Sequence, residues 1–482
     1  MFWRGVIGYL PVNVAQGIVG LLAIVTFTRL LTPQEYGAYA LGFSAMSLCH
    51  TLCFTWMEAA MARFYAREAQ GGKLADHFVT LYRCWIAAAL AFPVLAGAAL
   101  WAWPTHSGVK TAVAAGLASI LVRSLAKLVQ ERRRAAGDVR AAALLDIAQT
   151  VGGFALGAGL IFAGLGGAAP LAGMGAVAAV CLVFALPTEL KSLKGGRFDA
   201  AQARAYAAYG VPVSASLILA LVLATTDRFL LGAYLNEAAV GVYHAGYSLA
   251  NRTLDVLFIW LGMAGGPAMV MALERGGQPA LEEAASEQAD VMVALTLPAA
   301  VGLALVARPL ADVMIGPGLR AGAAQVTPWI AASAFLAGTT TYYLHQAFTL
   351  ARRTPQLLAT MAAPAIANLV LNLVMIPRFG LNGALWATTA SYALGAVASF
   401  ALGRRALALP FPASTLARAG VASLAMALAV SHVPAYGGAV ELLLKAVVGV
   451  VVYGVLAAAL DVGRLRGKGM RALAVFRPRL AA

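Results

Sequence analysis

The stretch Arg29 to Leu41, which reads RLLTPQEYGAYAL, closes one long apolar run and opens the next. Its arginine ends the first run, Thr32-Pro33-Gln34-Glu35 turns the chain, and a second run starts at Gly37. We interpret the stretch as a hairpin tip between two membrane helices. A related stretch in the second half of the chain, RFLLGAYLNEAAVGVYHAGYSLA at Arg228 to Ala250, repeats its spacing of glycine, tyrosine, glycine and serine. The pair of stretches therefore indicates an internal duplication.

The composition is that of a polytopic membrane protein. With 61% hydrophobic residues, 11% charged residues and a mean hydropathy of +0.80, the 482-residue chain lies far from the average of soluble domains. We predict an all-α fold with about 14 transmembrane helices, because a helix needs about 20 apolar residues to cross a bilayer. The apolar runs cover residues 5–31, 37–62, 77–103, 110–130, 141–164, 167–190, 208–235, 240–265, 287–315, 322–350, 357–377, 382–403, 412–433 and 439–461.

The basic residues predict the orientation in the membrane. The net charge is +15, from 35 Lys and Arg against 20 Asp and Glu. If the amino terminus is cytoplasmic, most basic residues fall in or beside cytoplasmic loops, as the positive-inside rule requires. We therefore predict a multi-pass protein of the cell inner membrane, with both termini cytoplasmic and in contact with anionic lipids. Because the basic residues are dispersed, the sequence argues against binding to nucleic acid.

The four cysteines all lie within predicted helices, at Cys49, Cys53, Cys84 and Cys181. Cys49 and Cys53 flank His50, which suggests a metal site, but buried apolar cysteine is the preferred interpretation. We therefore expect no metal and no disulfide framework.

The duplication extends beyond the two tips. FPVLAGAALWAWP at 92–104 aligns without a gap with LPAAVGLALVARP at 297–309, and GLGGA at 164–168 matches GLNGA at 380–384. Because each repeat holds six helices, an even number, both repeats start on the same side and are parallel, an arrangement found in transporters. The predicted divisions are an N-terminal six-helix bundle, a cytoplasmic amphipathic linker, a C-terminal six-helix bundle, an extra helix pair and a basic cytoplasmic tail, at residues 1–190, 191–207, 208–405, 406–462 and 463–482.

These motifs resemble those of a known family. A first helix ending in Arg29, the T-P-x-x-Y-G-x-Y tip from Thr32, its second copy and the G-L-x-G-A turn at Gly380 are similar to the polysaccharide-transport family of the multidrug/oligosaccharidyl-lipid/polysaccharide exporter superfamily. That family includes Wzx-type oligosaccharide flippases. The resemblance implies a V-shaped pair of six-helix bundles with a central cavity lined by helices 1, 2, 4, 7, 8 and 10. It also implies that an undecaprenyl-pyrophosphate-linked sugar unit is moved from the inner to the outer leaflet.

Polar side chains follow one face of the second, fourth, eighth and tenth predicted helices. Polar groups are costly in a membrane and usually face protein interior or a water-filled path. A guanidinium group can bind a diphosphate through two hydrogen bonds. From these helices we predict substrate-binding residues at Arg63, Arg123, Lys127, Asn251, Arg252, Tyr342 and Gln346. Candidates for ion coupling or charge pairing are Glu58, Asp255 and His345.

Structural interpretations compete with functional ones at these charges. Arg252 and Asp255 either neutralise each other, or the arginine binds a phosphate and the aspartate orients it. Arg123 and Lys127 either bind substrate or extend to the inner headgroups. Glu58 either pairs with an arginine or carries a coupling proton. For His345, a hydrogen-bonded contact between helices is preferred to a proton carrier.

The sequence predicts a transporter rather than an enzyme, because it has no G-x-x-x-x-G-K-[ST] phosphate loop and no large soluble domain. The predicted function is flipping of a lipid-linked oligosaccharide for O-antigen lipopolysaccharide, capsule or exopolysaccharide biosynthesis, with the polysaccharide polymerase and chain-length machinery as partners. No cofactor is expected, and coupling to a proton or sodium gradient stays open. A lipid II flippase for peptidoglycan and an ion-coupled multidrug exporter are the alternatives. The extra helix pair, apolar on almost every side, either forms a lipid-facing groove for the polyprenyl tail or pads the bundle.

Overall fold

The computed structural model describes the backbone of residues 2–464 and the side chains of residues 11–463, and it is helical throughout this part of the chain. The predicted basic tail falls almost entirely outside the described residues. The helices are α1 (Phe2–Leu30), α2 (Pro33–Cys53), α3 (Thr55–Gln70), α4 (Leu74–Ala102), α5 (Ser107–Ala135), α6 (Val139–Phe162), α7 (Ala169–Ser192), α8 (Ala200–Tyr234), α9 (Glu237–Leu305), α10 (Ala307–Met314), α11 (Pro317–Thr339), α12 (Gln346–Leu350), α13 (Thr354–Ala406), α14 (Ala413–Ser431) and α15 (Gly438–Ala459). A π-helical turn, Thr340–Leu344, joins α11 to α12.

The described residues form the fourteen predicted spans. Ten helices are long and apolar enough to cross a membrane, or eleven if the bent pair α2 and α3 counts as one span. Two of these helices, α9 and α13, hold two spans each, because the chain reverses at Gly277 (φ 66°) and Gly380 (φ 57°). These are left-handed backbone conformations that favour glycine. The remaining span runs from α11 through the π turn to α12. The all-α polytopic prediction is confirmed.

The tip predicted at Thr32 is a capped helix start. Thr32 Oγ1 accepts a hydrogen bond from the Glu35 backbone nitrogen at 3.3 Å, and the Thr32 nitrogen donates to Glu35 Oε2 at 2.9 Å. This reciprocal capping box satisfies two backbone donors at the start of α2, and Pro33 stands in its first turn, where no backbone donor is needed. Local hydrogen bonds between Thr32 and Glu35 therefore start the second span directly after the first one ends.

The chain forms two compact units, Met1–His244 and Ala245–Ala482. In the first unit, helices approach closely at glycines, as small residues allow in membrane proteins. A Cβ atom at Gly116 would lie 2.8 Å from the Gly42 carbonyl oxygen, and one at Gly210 would lie 2.3 Å from the Trp56 carbonyl oxygen. The first contact joins α5 to α2, and the second joins α8 to α3. The first unit thus includes α8 as well as the six spans before it.

A buried carboxylate holds α7 to α4 and α5 in the first unit. Glu189 is 2% exposed. Its Oε1 accepts a hydrogen bond from Arg132 Nη2 at 2.7 Å, and its Oε2 accepts one from the Tyr82 hydroxyl at 3.0 Å. Arg133 Nε lies 3.6 Å from the same carboxylate. Two arginines and a tyrosine therefore share one carboxylate as their acidic partner.

Replacing Glu189 with alanine is expected to lower the free energy of unfolding by about 3–5 kcal/mol, because it leaves Arg132 buried without its counter-charge. Chemical unfolding in detergent micelles measures the change. Glu282→Ala, at an exposed glutamate, is the matched control and is expected to change the stability little. Equal stability of the two variants would show that the cluster around Glu189 contributes nothing.

In the second unit, the extra helix pair packs against the second half of α9. Thr415 Oγ1 donates a hydrogen bond to Asp290 Oδ1 at 2.6 Å, and the Tyr453 hydroxyl donates to the Ala294 carbonyl at 2.6 Å. An apolar cluster of Val293, Ala294, Ala419, Ala457 and Val462 fills the contact. The other face of α15 stays exposed and apolar, for example at Val450, which is 74% exposed. A face of this kind suits lipid contact.

Candidate functional site

Arg123 lies within the apolar run of α5, and no acidic side chain contacts it among residues 11–463. At a rise of about 1.5 Å per residue, it stands about 24 Å from the start of α5 at Ser107 and about 18 Å from its end at Ala135. Its Nη1 atom contacts two thioether sulfurs, Met174 Sδ at 3.2 Å and Met46 Sδ at 3.8 Å. Among residues 11–463 no carboxylate pairs with this guanidinium group.

The other two cations predicted in the first unit are in different surroundings. Lys127, one turn beyond Arg123, donates from Nζ to Gln130 Oε1 at 3.1 Å. Gln130 in turn donates to the Ala142 carbonyl, so Lys127 belongs to the contact between α5 and α6. Arg63 is exposed on α3. Among the predicted cations of the first unit, Arg123 is the one that is partly buried and whose described hydrogen-bond contacts are thioether sulfurs.

Glu58 pairs with a histidine, not with an arginine. Its Oε1 lies 2.8 Å from Nε2 of His50, and both side chains are mostly buried, 12% and 22% exposed. The alternative that Glu58 pairs with an arginine is wrong. The sequence placed His50 beside two cysteines, but it gave no reason to pair His50 with a residue two helical turns away. The pair forms because the second span, predicted as one helix, is broken at Phe54 into α2 and α3, which are bent by 47°.

A chain of charged groups continues from Glu58 across the first unit. Glu58 interacts electrostatically with Glu131 on α5. Glu131 Oε1 accepts from Arg134 Nη1 at 2.7 Å, and Arg134 lies 3.9 Å from Asp146 on α6. Asp146 also accepts a hydrogen bond from Gln16 of α1 at 3.2 Å. This network was not predicted from the sequence, because its members lie on four different helices.

The second unit contains the other predicted residues. Asn251 Nδ2 donates a hydrogen bond to Asp255 Oδ2 at 2.5 Å. Arg252, although three residues from Asp255, is exposed and forms no ion pair within residues 11–463. No direct salt bridge joins the two side chains, but their charges interact electrostatically, so mutual neutralisation stays a prediction. The Asn251 amide orients the Asp255 carboxylate, and the Arg252 side chain is exposed.

Tyr342 and Gln346 pack against the same helix as Asn251. The Tyr342 ring stacks on Phe258 with centroids 6.1 Å apart and lies against Gly262, where a Cβ would approach within 2.3 Å. Gln346 follows one turn later, with its Nε2 3.7 Å from the Cβ position of Gly266. Asp255 also interacts electrostatically with Tyr342. The structure thus brings the predicted residues of α9 together with those that follow α11.

A π-helical turn positions Tyr342. Such turns insert one extra residue into a helix and often occur at functional sites. Gln288, from the second half of α9, donates from Nε2 to the Tyr342 carbonyl at 3.1 Å. This contact was not predicted. His345, just after the turn, contacts the Phe348 ring, and its Nε2 has no hydrogen-bond partner in the described part of the chain. The predicted interhelical hydrogen bond of His345 is therefore not observed at this nitrogen.

Comparisons with known proteins identify the fold and the family. The structure is similar to lipid II flippase MurJ in an inward closed conformation, with a TM-score of 0.74 and 12% identity over 94% of this chain and 99% of that one. It is also similar to an inward-facing multidrug resistance MATE family transporter of the MOP superfamily, with a TM-score of 0.65 and 15% identity over 81% and 94%. No curated protein sequence matches significantly.

A family model described as polysaccharide biosynthesis protein matches residues 26–318, more than half of the chain. The match includes both hairpin tips and the spans between them. At the identities above, the two solved structures establish the fold alone. The chain therefore belongs to the polysaccharide biosynthesis protein family, which confirms the resemblance of its hairpin motifs to a polysaccharide-transport family.

Proposed function

We propose that this protein is a flippase of the cell inner membrane that moves undecaprenyl-pyrophosphate-linked oligosaccharide repeat units between leaflets by alternating access. The product would supply O-antigen, capsule or exopolysaccharide synthesis. The family match and the fold support this proposal, and Arg123 is the observation that carries it. In this proposal the chain is a transporter rather than an enzyme, works without a cofactor, and passes its product to a polysaccharide polymerase with its chain-length machinery.

The chemistry of Arg123 fits a diphosphate. A cation within a membrane span is costly unless it is neutralised, and two thioether sulfurs are weak acceptors that carry no charge. The cost is reduced when an anion binds. The planar guanidinium can donate two parallel hydrogen bonds to phosphate oxygens, and these bonds are stronger where bulk water is excluded. We therefore assign Arg123 to the diphosphate that links lipid and glycan.

The second unit carries groups suited to the same kind of substrate. Arg252 supplies a further exposed guanidinium, while Asn251, Tyr342 and Gln346 supply neutral hydrogen-bonding groups suited to sugar hydroxyls. Tyr342 also has an aromatic ring that is only partly covered by Phe258. We propose that these four residues, with Arg63 and Lys127, complete the substrate contacts.

Energy coupling is assigned to acidic and imidazole groups within the spans. Glu58, Asp255 and His345 are the candidates, since each lies where an ionisable side chain would otherwise be expensive. A proton or sodium gradient would supply the free energy, or consumption of the flipped product would draw the reaction forward. Each residue is replaced singly, and transport is measured with and without an imposed gradient. This comparison distinguishes transport driven by the gradient from transport driven by consumption of the product.

A chain ending near Leu409 is expected to insert and fold but to lose glycan export. The lipid tail of the substrate is too long for a polar path, so we propose that the exposed apolar faces of α14 and α15 border its groove. Surface glycan and the amount of monodisperse protein are measured together, because the truncation also removes the Thr415 contact with Asp290. Thr415→Ala, which removes that hydrogen bond alone, is the control. Full export by a stably expressed truncation would show that no such groove is needed.

Deletion of the gene tests the proposed function against its alternatives. We expect loss of capsule, O-antigen or exopolysaccharide in viable cells, restored by the wild-type chain. Lysis would instead indicate a lipid II flippase, the activity named for the similar structure of MurJ. Drug sensitivity with normal surface glycan would indicate multidrug export, as named for the MATE transporters. Either of these results would overturn the proposal.

A further inference from the structure

The second span is broken where the sequence has no helix breaker. Residues 49–58 read CHTLCFTWME and contain neither proline nor glycine. At Phe54 the backbone leaves the helical region (φ −124°, ψ −29°), and α2 and α3 meet at a bend of 47°. Kinks of this size usually have a local cause such as proline, so contacts from the folded chain must produce this one.

Packing contacts accommodate the break. The Trp56 indole Nε1 donates to the Cys53 carbonyl at 3.2 Å, which satisfies one of the carbonyls near the end of α2. Phe54 is 1% exposed and meets the edge of the Phe92 ring with centroids 5.9 Å apart. The indole contact joins α3 to α2 at the break itself, between residues three apart, and the Phe54 ring packs against α4.

The His50–Glu58 contact joins the two helices over a longer distance, from four residues before Phe54 to four residues after it. In a straight helix, residues eight apart are separated by about 12 Å along the axis and about 80° around it. Side chains in contact on one helix are normally three or four residues apart. A separation of 2.8 Å between Nε2 and Oε1 is therefore out of reach in a straight span. The contact exists only while the span is bent.

We propose that His50 is a positioning residue and that the His50–Glu58 contact is a latch that holds the second span in its bent form. The Nε2–H group donates to the carboxylate whether the imidazole is neutral or protonated, so the latch does not need a charged histidine. When the contact breaks, α3 can realign with α2. The displacement moves Arg63 and the surface of α3 at Trp56, which packs against Gly210 of α8. The latch therefore controls the position of the inner half of a span that carries predicted substrate and coupling residues.

The test measures the bend directly. Gln34 on α2 and Ala66 on α3 are exposed and accept spin labels in a background in which the four cysteines are replaced. Their backbone positions are about 44 Å apart with a 47° bend at Phe54 and about 48 Å apart in a straight helix. Pulsed electron-spin resonance on the full-length protein in lipid nanodiscs resolves a shift of about 4 Å.

Five variants separate the latch from general packing. His50→Gln retains a donor near the Nε2 position and is expected to keep the short distance and glycan export. His50→Leu and Glu58→Leu are each expected to add a population in which the distance between the spin labels is about 4 Å longer, and to lose export. The double variant is expected to give the same distances and export as either single variant. Leu52→Ala, at a 64% exposed position between the two, is the control and is expected to stay bent. Unchanged distances in both leucine variants would overturn the proposal. If the leucine variants do not fold, the label distances of His50→Ala are compared with those of His50→Gln. Equal distances in these two variants would likewise overturn the proposal.

Discussion

Replacing Arg123 with alanine is expected to abolish export of surface glycan while leaving the amount of folded protein unchanged. The reason is that Arg123 has only Met46 and Met174 as described polar contacts, so its removal breaks no ion pair in the empty protein. Loss of a charge-assisted contact with phosphate costs about 1.5–3 kcal/mol, or about a tenfold to hundredfold loss of affinity. Complementation of a deletion strain, with glycan stained on the cell surface, measures the effect.

Three further substitutions make the Arg123 result specific. Arg123→Lys keeps the charge but not the planar pair of donors, so partial export is expected. Arg252→Ala is expected to reduce export as well, since its guanidinium is also unpaired within the described residues. Arg140→Ala, at an exposed arginine outside the proposed site, is expected to export normally. Normal export by both Arg123→Ala and Arg252→Ala would contradict the assignment of these arginines to the substrate-binding site.

Substituting Gly37 or Gly241 with alanine is expected to disrupt the contact between the two duplicated tips. In the first unit a Cβ at Gly37 would lie 1.8 Å from the Glu237 carbonyl oxygen, and a Cβ at Gly241 would lie 2.3 Å from the Pro33 carbonyl oxygen. The two contacts are reciprocal, since the same duplication that pairs the glycines also pairs Pro33 with Glu237. No side chain can move aside to relieve either overlap. The backbones must separate, which is expected to reduce thermal stability and export together.

Gly97→Ala is the control for these glycine variants, because a Cβ at Gly97 meets nothing within 4 Å. Glycine costs a helix about 1 kcal/mol relative to alanine, so this substitution is expected to be neutral or slightly stabilising. The comparison therefore isolates the close contact from helix propensity. Unfolding temperatures in detergent and export in cells provide the measurements. If Gly37→Ala and Gly97→Ala have the same unfolding temperature and the same export, the contact between the tips contributes to neither stability nor export.

Local sequence patterns were sufficient to predict the spans. The apolar runs predict the fourteen spans, and the turns predicted at Thr32 and Gly380 each act within a few residues of chain. The tip at Arg29 to Leu41 also led to the correct family. The candidate cations on α5 and α9 were found for the same reason, since charge inside an apolar run is visible without knowing the neighbours.

Contacts between distant helices were not predictable from one sequence. The break at Phe54 has no proline or glycine beside it to mark it in the sequence, so the partner of Glu58 could not be deduced. The thioether surroundings of Arg123 come from α2 and α7, and Glu189 meets its arginines from another helix. The π turn at Tyr342 has no recognisable sequence signal either. In each case the deciding interaction joins residues far apart in the chain.

Transport by purified protein tests the central claim most directly. The wild-type chain and the Arg123→Ala variant are reconstituted in liposomes containing an undecaprenyl-pyrophosphate-linked fluorescent oligosaccharide, and a membrane-impermeant reagent that destroys the glycan label reports the outer leaflet. We expect the glycan label in the inner leaflet to become accessible to the reagent much faster with wild-type protein than in protein-free liposomes. With Arg123→Ala we expect no such acceleration. Equal rates for the two proteins, or no acceleration by the wild type, would contradict the central claim.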